Sequence, residues 1–366
     1  MTPALARTGP GYGRGESPRI RLMIVDDSMV ARAVLTRMLE ADGGFEIVAV
    51  AGTAEDCIDA LAQVRVDTIL LDLEMPGAGG LKSIPRILQA ACGARVMIVS
   101  SLAEEGAEET VAALALGAAD TLPKPGTGRF NGRFSEVLMA KLRALGRAEN
   151  QDYSPAPAAV PRAVNAAPLR AMAPDPLRLL AIGASTGGIH ALSSFFQALP
   201  AKIGVPILVT QHLPAPFMSV FARQLSNAAG REAIVAEDGL RLLPDRIVIA
   251  PGDAHLTVEI CGGRLVARLL RNRSSSGCLP SVDPMLASAG ALLGAEALGV
   301  VLSGMGRDGL EGAMALIGAG GSVIVQDEAS SAVWGMPRAV ADAGLACAVL
   351  PPAKIARRVA GRAGAE

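Results

Sequence analysis

Two series of short apolar runs, each alternating with amphipathic stretches, constrain the fold of this 366-residue chain more than any other feature of its sequence. Short buried strands that alternate with helices predict parallel sheets covered by helices on both faces. The first series predicts a five-stranded parallel sheet, and the second predicts another α/β sheet, doubly wound and mainly parallel. The runs are 22–25, 46–50, 68–71, 95–100 and 119–122, and then 177–183, 205–210, 246–250, 297–303 and 321–326.

The stretch 246–270 departs from this alternation. Two apolar segments there flank the pair Gly262–Gly263, and a glycine pair between strand-like segments is typical of a β-hairpin. We therefore predict that an antiparallel β-ribbon branches from the second sheet.

A segment rich in proline and alanine separates the two series. Residues 147–177 lose the apolar periodicity, which is typical of a semi-extended linker. Residues 1–20 carry Gly, Pro and Arg where a signal peptide needs an apolar core, so we expect a disordered lead-in. The expected domains are therefore 21–146 and 178–366.

Composition limits the partners and the compartment. Charged residues make up 19% of the chain and the formal net charge is -1, whereas nucleic-acid binders carry a clustered basic surface. No apolar run approaches the roughly 20 residues that span a bilayer. The five cysteines form no CxxC pair, which argues against a disulfide framework or a structural zinc site. We expect a cytoplasmic protein with no nucleic-acid partner and no membrane insertion.

Polar side chains follow four of the first five strands. Asp26 and Asp27 follow the first, Asp72 the third and Lys124 the fifth, while Ser100 ends the fourth. Because the carboxyl ends of parallel strands meet at one edge, we expect these side chains to lie together. Clustered carboxylates repel one another unless a cation neutralises them, and oxygen ligands suit Mg²⁺. Any one of these residues is equally well explained as a polar strand end, but the full set predicts a phosphoryl-accepting site with Asp72 as the nucleophile.

Four motifs make residues 21–146 resemble response-regulator receiver domains, which have a flavodoxin-like five-stranded parallel sheet. They are IVDDS (24–28), LLDLEMPGAGGL (70–81), IVSS (98–101) and LPKP (122–125). The resemblance implies phosphorylation at Asp72.

The resemblance also assigns roles to the neighbours of Asp72. It implies that Ser100 and Lys124 sense the phosphate, and that Thr121 occupies the position where receivers often place an aromatic switch residue. The Mg²⁺ ligands that it implies are Asp26, Asp27, Asp72 and the backbone carbonyl of Glu74.

A serine on a tight turn opens the second series. Gly183 to Gly187 matches the pattern G-x-S-x-G, in which small residues let Ser185 stand exposed between a strand and a helix. A serine needs a base to become a nucleophile, and the chain has three histidines. His212 ends the next strand and should lie at the same sheet edge. His190, in the following helix, should face away, and His255, in the ribbon, is a candidate for lining the cleft.

Asp308 is the candidate for the carboxylate that orients the histidine. It follows an apolar strand and a glycine-rich turn and precedes the next helix, so a simple helix cap is the alternative interpretation. Backbone N–H groups near the two turns would form an oxyanion hole, with Thr186 and Met305 as candidates. The order Ser, His, Asp differs from that of α/β-hydrolases, which predicts a different fold with the same chemistry.

The second domain resembles the catalytic domain of the CheB family of chemotaxis protein-glutamate methylesterases. The matching segments are IGASTGG (182–188), VTQHLP (209–214), AEDG (236–239), IAPGDAH (249–255), PSVD (280–283), LSGMGRDG (302–309) and EASSAVWGMPRAV (328–340). The catalytic residues carry over as Ser185, His212 and Asp308. Leu279 stands where the family usually has an arginine.

This second resemblance implies an activity and partners. The activity is hydrolysis of glutamate methyl esters on chemoreceptors, often with deamidation of receptor glutamines, and it is activated by phosphorylation. A CheA-type histidine kinase would donate the phosphoryl group, and the ester chemistry would need no cofactor.

Two other functions compete with this interpretation. The turn at 182–188 could instead be a dinucleotide phosphate loop, but Gln211 and His212 occupy the region where that fold places an acidic residue for the ribose. A DNA-binding output domain is the other alternative. The second domain of this chain, however, has no helix on which basic residues cluster. NAD(P) titration and salt-dependent DNA binding would discriminate them.

Overall fold

The computed structural model describes residues 19–77, 79–100, 104–124, 132–146 and 168–365. The expected lead-in falls almost wholly outside these residues, as do residues 147–167 of the expected linker. The rest of that linker, residues 168–177, lies along the second sheet, where the Arg170 N–H donates to the Ala346 carbonyl at 3.0 Å.

The first sheet is parallel, as predicted, with the strand order β2-β1-β3-β4-β5. Its strands are β1 (Ile20–Val25), β2 (Phe45–Ala51), β3 (Thr68–Leu71), β4 (Arg95–Ser100) and β5 (Asp120–Pro123). Its helices are α1 (Met29–Glu40), α2 (Ala54–Leu61), α3 (Gly80–Ala90), α4 (Glu104–Ala115) and α5 (Gly132–Gly146).

The second sheet is parallel in all its described pairings and has the order β14-β13-β12-β6-β7-β9-β8. Its strands are β6 (Leu179–Ala184), β7 (Ile207–Gln211), β8 (Ala233–Val235), β9 (Ile247–Ile249), β12 (Ala297–Val301), β13 (Ser322–Gln326) and β14 (Ala348–Leu350). Its helices are α6 (Gly188–Ala198), α7 (Met218–Ala229), α8 (Val282–Leu293), α9 (Leu310–Gly318), α10 (Met336–Asp342) and α11 (Pro352–Ala363).

The predicted ribbon is also present. It pairs β10 (His255–Cys261) with β11 (Arg264–Leu270) in antiparallel fashion around Gly262 and Gly263. Both glycines have positive φ, +57° and +74°, which is the conformation that this hairpin turn requires.

Helices cover both faces of the second sheet, which makes it doubly wound. Phe195 of α6, Phe221 of α7 and Ile355 of α11 are buried in one apolar core, and Met285 of α8 and Leu316 of α9 in the other. The chain reverses its direction of travel across the sheet between β6 and β12. The carboxyl ends of strands at such a switch point form the ligand-binding crevice of open α/β sheets.

The N-terminal and C-terminal domains contact each other through α4, which packs against α6 and α7. The apolar core under this face is continuous across the contact. Within the ranges that the structure describes, no helix combines the length and the apolar character that crossing a bilayer requires.

Candidate active site

Ser185 lies directly after β6, on the turn that leads into α6. Its N–H donates to the Ser303 carbonyl at 2.9 Å, which ties the turn to the segment after β12. Gly187 has a φ of +76°, a conformation that costs a residue with a side chain free energy. A Cβ on Gly304 would lie 2.9 Å from the Ser185 Cβ and would overlap the Met336 sulfur. Glycine is therefore required at position 187 of the turn and at position 304 of the segment that packs against it.

Strand pairing brings His212 to Ser185. In the register of β6 and β7, Ala184 lies opposite Gln211, and the His212 N–H donates to the Ala184 carbonyl at 3.1 Å. His212 Nδ1 is 3.1 Å from Ser185 Oγ, and His212 Nε2 is 2.8 Å from Asp308 Oδ2. A neutral imidazole with its proton on Nε2 donates to Asp308 and leaves the Nδ1 lone pair free to accept the Ser185 hydroxyl proton.

Asp308 is held by three hydrogen bonds and is only 2% exposed. Besides His212, the Ser281 hydroxyl donates to its Oδ1 at 2.6 Å, and the Val282 N–H donates to its Oδ2 at 2.7 Å. Burial alone would raise the pKa of Asp308, but hydrogen bonding and the charge of His212, together with these two donors, outweigh burial and hold the pKa well below its usual range. The carboxylate is therefore a fixed anion facing the imidazole.

The other two histidines do not contact Ser185. His190 is exposed on α6, and its Nδ1 lies 3.3 Å from the Ala115 carbonyl. The suggestion that His255 lines the cleft is wrong, because His255 is fully buried. Its Nδ1 accepts from the Ser281 N–H at 2.9 Å, and its Nε2 lies 2.8 Å from the Asn272 carbonyl. His255 therefore supports the backbone of Ser281, whose hydroxyl donates to Asp308.

The two oxyanion-hole candidates flank the serine differently. Thr186 is buried, and its hydroxyl donates to Asp120 Oδ2 of the N-terminal domain at 2.5 Å. Met305 is on the turn after β12 and is 37% exposed. Leu279, at the position of the expected arginine, is 48% exposed.

The acidic residues of the first sheet also converge. Ligand oxygens of Asp26, Asp27 and Asp72 lie within 4.8 Å of one another. Lys124 Nζ contacts Asp26 Oδ2 at 2.8 Å and Asp72 Oδ2 at 2.7 Å. Burial raises the pKa of Asp72, and Lys124 offsets part of that rise. Such a set of carboxylate oxygens fits Mg²⁺.

The remaining predicted residues of this first site lie in or shortly after strands β3, β4 and β5. Ser100 ends β4, and its hydroxyl is 2.8 Å from that of Thr110. The Glu74 N–H is 3.3 Å from Asp72 Oδ1, while the metal-binding role of its carbonyl stays a prediction. Thr121 is buried in β5.

Comparison with known proteins identifies the family. The family model for the CheB methylesterase matches residues 180–359, and that for the response regulator receiver domain matches residues 22–129. A protein-glutamate methylesterase/protein-glutamine glutaminase of Paramagnetospirillum magneticum is 40% identical, over 92% of this chain and 94% of its own. The chain belongs to the CheB methylesterase family. A relative of the same name from Caulobacter vibrioides is 42% identical, over 94% of this chain and 99% of its own.

Solved structures of family members resemble the two halves. The CheB methylesterase catalytic domain of Thermotoga maritima is 34% identical and aligns with 50% of this chain and 98% of its own, with a TM-score of 0.49. The response regulator domain of the same organism's CheB is 33% identical and aligns with 34% of this chain and 95% of its own, with a TM-score of 0.31.

The receiver of this CheB family member lies against its serine site. The crevice beside Ser185 and His212 is bounded on the receiver side by Leu114 and residues 118–120. The Gly187 N–H donates to the Ala119 carbonyl at 2.6 Å. Asp120 accepts from Thr186 and also pairs with Lys141 Nζ at 2.6 Å. The receiver therefore holds the loop that carries the serine.

Three residues near the serine site were not singled out as functional from the sequence. Ser281 caps α8 and carried the signal of a capping serine before a helix. Asp120 gave no signal, because its partner is in the other domain. Cys278 has a ligand atom within 4.8 Å of those of His212 and Asp308, and burial together with the Asp308 charge raises the pKa of its thiol.

Proposed function

We propose that this protein hydrolyses methyl esters of glutamate side chains on chemoreceptors, with Ser185 as nucleophile, His212 as general base and Asp308 as the orienting carboxylate. The observation that carries the proposal is the continuous hydrogen-bonded chain from Ser185 Oγ through both His212 nitrogens to Asp308. The names of the relatives, which are protein-glutamate methylesterases and protein-glutamine glutaminases, support this choice of substrate.

In the proposed reaction, Ser185 Oγ attacks the ester carbonyl carbon while His212 Nδ1 takes its proton. The resulting imidazolium faces the Asp308 anion, which stabilises it. The tetrahedral intermediate then expels methoxide, which takes the proton from His212 and leaves as methanol. Water, deprotonated by His212, hydrolyses the acyl-enzyme to glutamate. With a glutamine substrate the same steps release ammonia, and neither route calls for a cofactor.

Negative charge develops on the carbonyl oxygen during the attack. Backbone N–H groups at Thr186 and Met305 are the proposed donors, supported by the amino terminus of α6 that follows Ser185. Removing one such donor typically costs about 10²–10³-fold in kcat.

The receiver is the proposed control element. Asp72 would accept the phosphoryl group from a CheA-type histidine kinase, with Ser100 and Lys124 contacting it. Asp26, Asp27 and Asp72, with the Glu74 carbonyl, would hold Mg²⁺, which when bound neutralises charge on the incoming phosphate. The five free cysteines support a reducing, cytoplasmic location.

Strand β5 offers a route from the phosphorylation site to the serine. Lys124, directly after β5, contacts Asp72, and Asp120, at its start, contacts Thr186. Four residue steps of extended chain separate the two contacts, roughly 13 Å. A phosphoryl group on Asp72 would change the contacts of Lys124 and thereby shift β5. That shift would weaken the hydrogen bond between Asp120 and Thr186 that restrains the Ser185 loop. Thr121 lies in this strand, so the route requires no rotating aromatic side chain.

Methanol release from a methylated chemoreceptor, measured with and without acetyl phosphate and Mg²⁺, tests this function directly. The proposal requires methanol from the receptor and more of it with the phosphodonor. Turnover that occurs on free ester but never on methylated receptor would contradict the choice of substrate.

Substituting the phosphoacceptor should uncouple activity from the signal. We expect Asp72→Ala to keep the low basal rate and to show no rise with acetyl phosphate, because it removes the proposed phosphoacceptor carboxylate and leaves Lys124 in contact with Asp26 alone of this pair. Asp59→Ala, which removes an exposed acid from α2, should respond like the native protein. Full activation of Asp72→Ala by acetyl phosphate would exclude control through phosphorylation of Asp72.

Removing the contact that holds the serine loop should raise the unphosphorylated rate. A hydrogen bond to a charged group is worth roughly 1.5–3 kcal/mol, so we expect Asp120→Ala to raise basal methanol release by about 10- to 100-fold. Glu108→Ala is the matched control, because its ion pair with Arg223 also joins the domains but is more than half exposed, and such pairs contribute little. Equal basal rates for both variants would argue against the hydrogen bond between Asp120 and Thr186 as the contact that restrains the serine loop.

A further inference from the structure

A cysteine beside the catalytic residues completes a set of potential metal ligands. One ligand atom from each of His212, Cys278 and Asp308 lies within 4.8 Å of the other two. Asp308 is buried, whereas the His212 side chain is 18% exposed and Cys278 is half-buried. A small solute can therefore reach the cluster from solvent without unfolding the site.

We propose that His212, Cys278 and Asp308 form a site for Zn²⁺ that switches the esterase off. Imidazole nitrogen, thiolate and carboxylate oxygen are the ligand types that zinc combines, and three protein ligands leave a fourth tetrahedral position for water. This arrangement differs from a structural zinc site, in which four protein ligands close the coordination sphere.

The geometry needs only a small adjustment. Zinc bonds of about 2.0–2.3 Å place ligand atoms roughly 3.5 Å apart. The three ligand atoms lie within 4.8 Å of one another, so no pair must close by more than about 1.3 Å. Cys278 can supply this movement, because it follows Gly277, which has a φ of +73°, in a stretch over 271–279 that is mostly exposed. If both coordinate the metal, His212 Nε2 and Asp308 Oδ2, now 2.8 Å apart, would separate by about 0.7 Å.

Charge and protons balance in the bound state. Zn²⁺ displaces the thiol proton of Cys278 to solvent and bonds to one thiolate, one carboxylate and one neutral imidazole. The two anionic ligands neutralise the metal charge, so no uncompensated charge stays beside the buried carboxylate.

Either way of engaging His212 disables it as a base. If the metal bonds to Nδ1, it takes the lone pair that faces Ser185. If it bonds to Nε2, the remaining proton of the neutral imidazole must sit on Nδ1, which then cannot accept the serine proton. Inhibition therefore does not depend on which nitrogen coordinates the metal.

Metal binding can be measured without any assay of turnover. We would titrate the full-length protein with Co²⁺ and follow the absorption of a thiolate–cobalt bond, then compete with Zn²⁺, in excess Mg²⁺ so that the receiver carboxylates are occupied. Cys278→Ser should lose the thiolate band and bind zinc at least about tenfold more weakly, since even a second-shell change costs about that much. Cys261→Ser, at an exposed cysteine of the ribbon, should behave like the native protein.

The second part of the experiment measures inhibition of methanol release by Zn²⁺, and only this part rests on the proposed esterase function. Zn²⁺ should lower methanol release by the native protein and by Cys261→Ser, and a chelator should restore it. Cys278→Ser should keep a larger fraction of its own metal-free rate at the same zinc concentration. Equal zinc affinity in the native protein and Cys278→Ser would overturn the site, and zinc binding that leaves turnover intact would overturn the switch. If no methanol is released at all, the proposed function fails, and the cobalt titration still decides the site.

Discussion

Ser185→Ala should lower kcat for methyl ester hydrolysis by about 10⁵–10⁶-fold, the size of effect seen when a serine nucleophile is removed from a working triad. His212 would keep its hydrogen bond to Asp308 but would have no hydroxyl to deprotonate. The half-buried Ser185 side chain donates to His212 from a tight turn whose backbone contacts do not involve Oγ. Its removal should therefore change the free energy of unfolding by no more than about 1 kcal/mol.

Two measurements separate lost chemistry from lost structure. Ser193→Ala, in the half-buried middle of α6, is the matched control and should turn over at close to the native rate. Ser185→Ala should also still be phosphorylated at Asp72, because the receiver is untouched. A Ser185→Ala protein that releases methanol at more than a small fraction of the native rate would show that another group is the nucleophile.

Strand-end positions explain why much of the two sites could be predicted from the sequence. Ser185, His212 and Asp308 are far apart in the chain, yet Ser185 and His212 each directly follow a strand, and Asp308 follows β12 by a short turn. Since β6 lies between β7 and β12, the sheet brings all three to one edge. The same rule brought Asp26 and Asp72 together. A run of apolar residues indicates where a strand ends, and parallel pairing then brings the residues after those ends to one edge of the sheet.

The residues that the sequence did not reveal depend on packing between distant segments. Strands β8 and β14 are three residues long, lie at the two edges of the sheet and are only partly buried. The equally short β9, which was predicted, is an inner strand and is buried throughout. His255 became buried because the ribbon packs on the 272–281 segment. The contact of Asp120 with Thr186 depends on how two domains dock, which no periodicity encodes.

Asp308→Asn should lower kcat/KM by about 10⁴-fold, the cost of a wrong histidine tautomer in a serine triad. The carboxylate now accepts from His212, Ser281 and Val282. An amide has one acceptor oxygen. If it stands at the Oδ1 position it keeps the Ser281 contact, and the NH₂ then replaces Oδ2 and faces His212 Nε2. The imidazole would then carry its proton on Nδ1, toward Ser185, and could not act as a base. Losing one charged acceptor should also cost roughly 1–3 kcal/mol of stability.

Asp283→Asn is the matched control, because Asp283 is a neighbouring acid with no hydrogen bond to His212 among those described. Its Oδ1 accepts from the Gly312 N–H at 2.8 Å, and burial together with the charge of Asp308 raises its pKa. An asparagine matches the neutral form that this shift favours, and its amide oxygen can still accept from Gly312. We expect Asp283→Asn to keep kcat/KM within about tenfold of native, since it leaves the tautomer of His212 unchanged. Equal losses in the two variants, measured as methanol release at pH 7.5, would mean that charge near the site, and not the His212 tautomer, sets the rate.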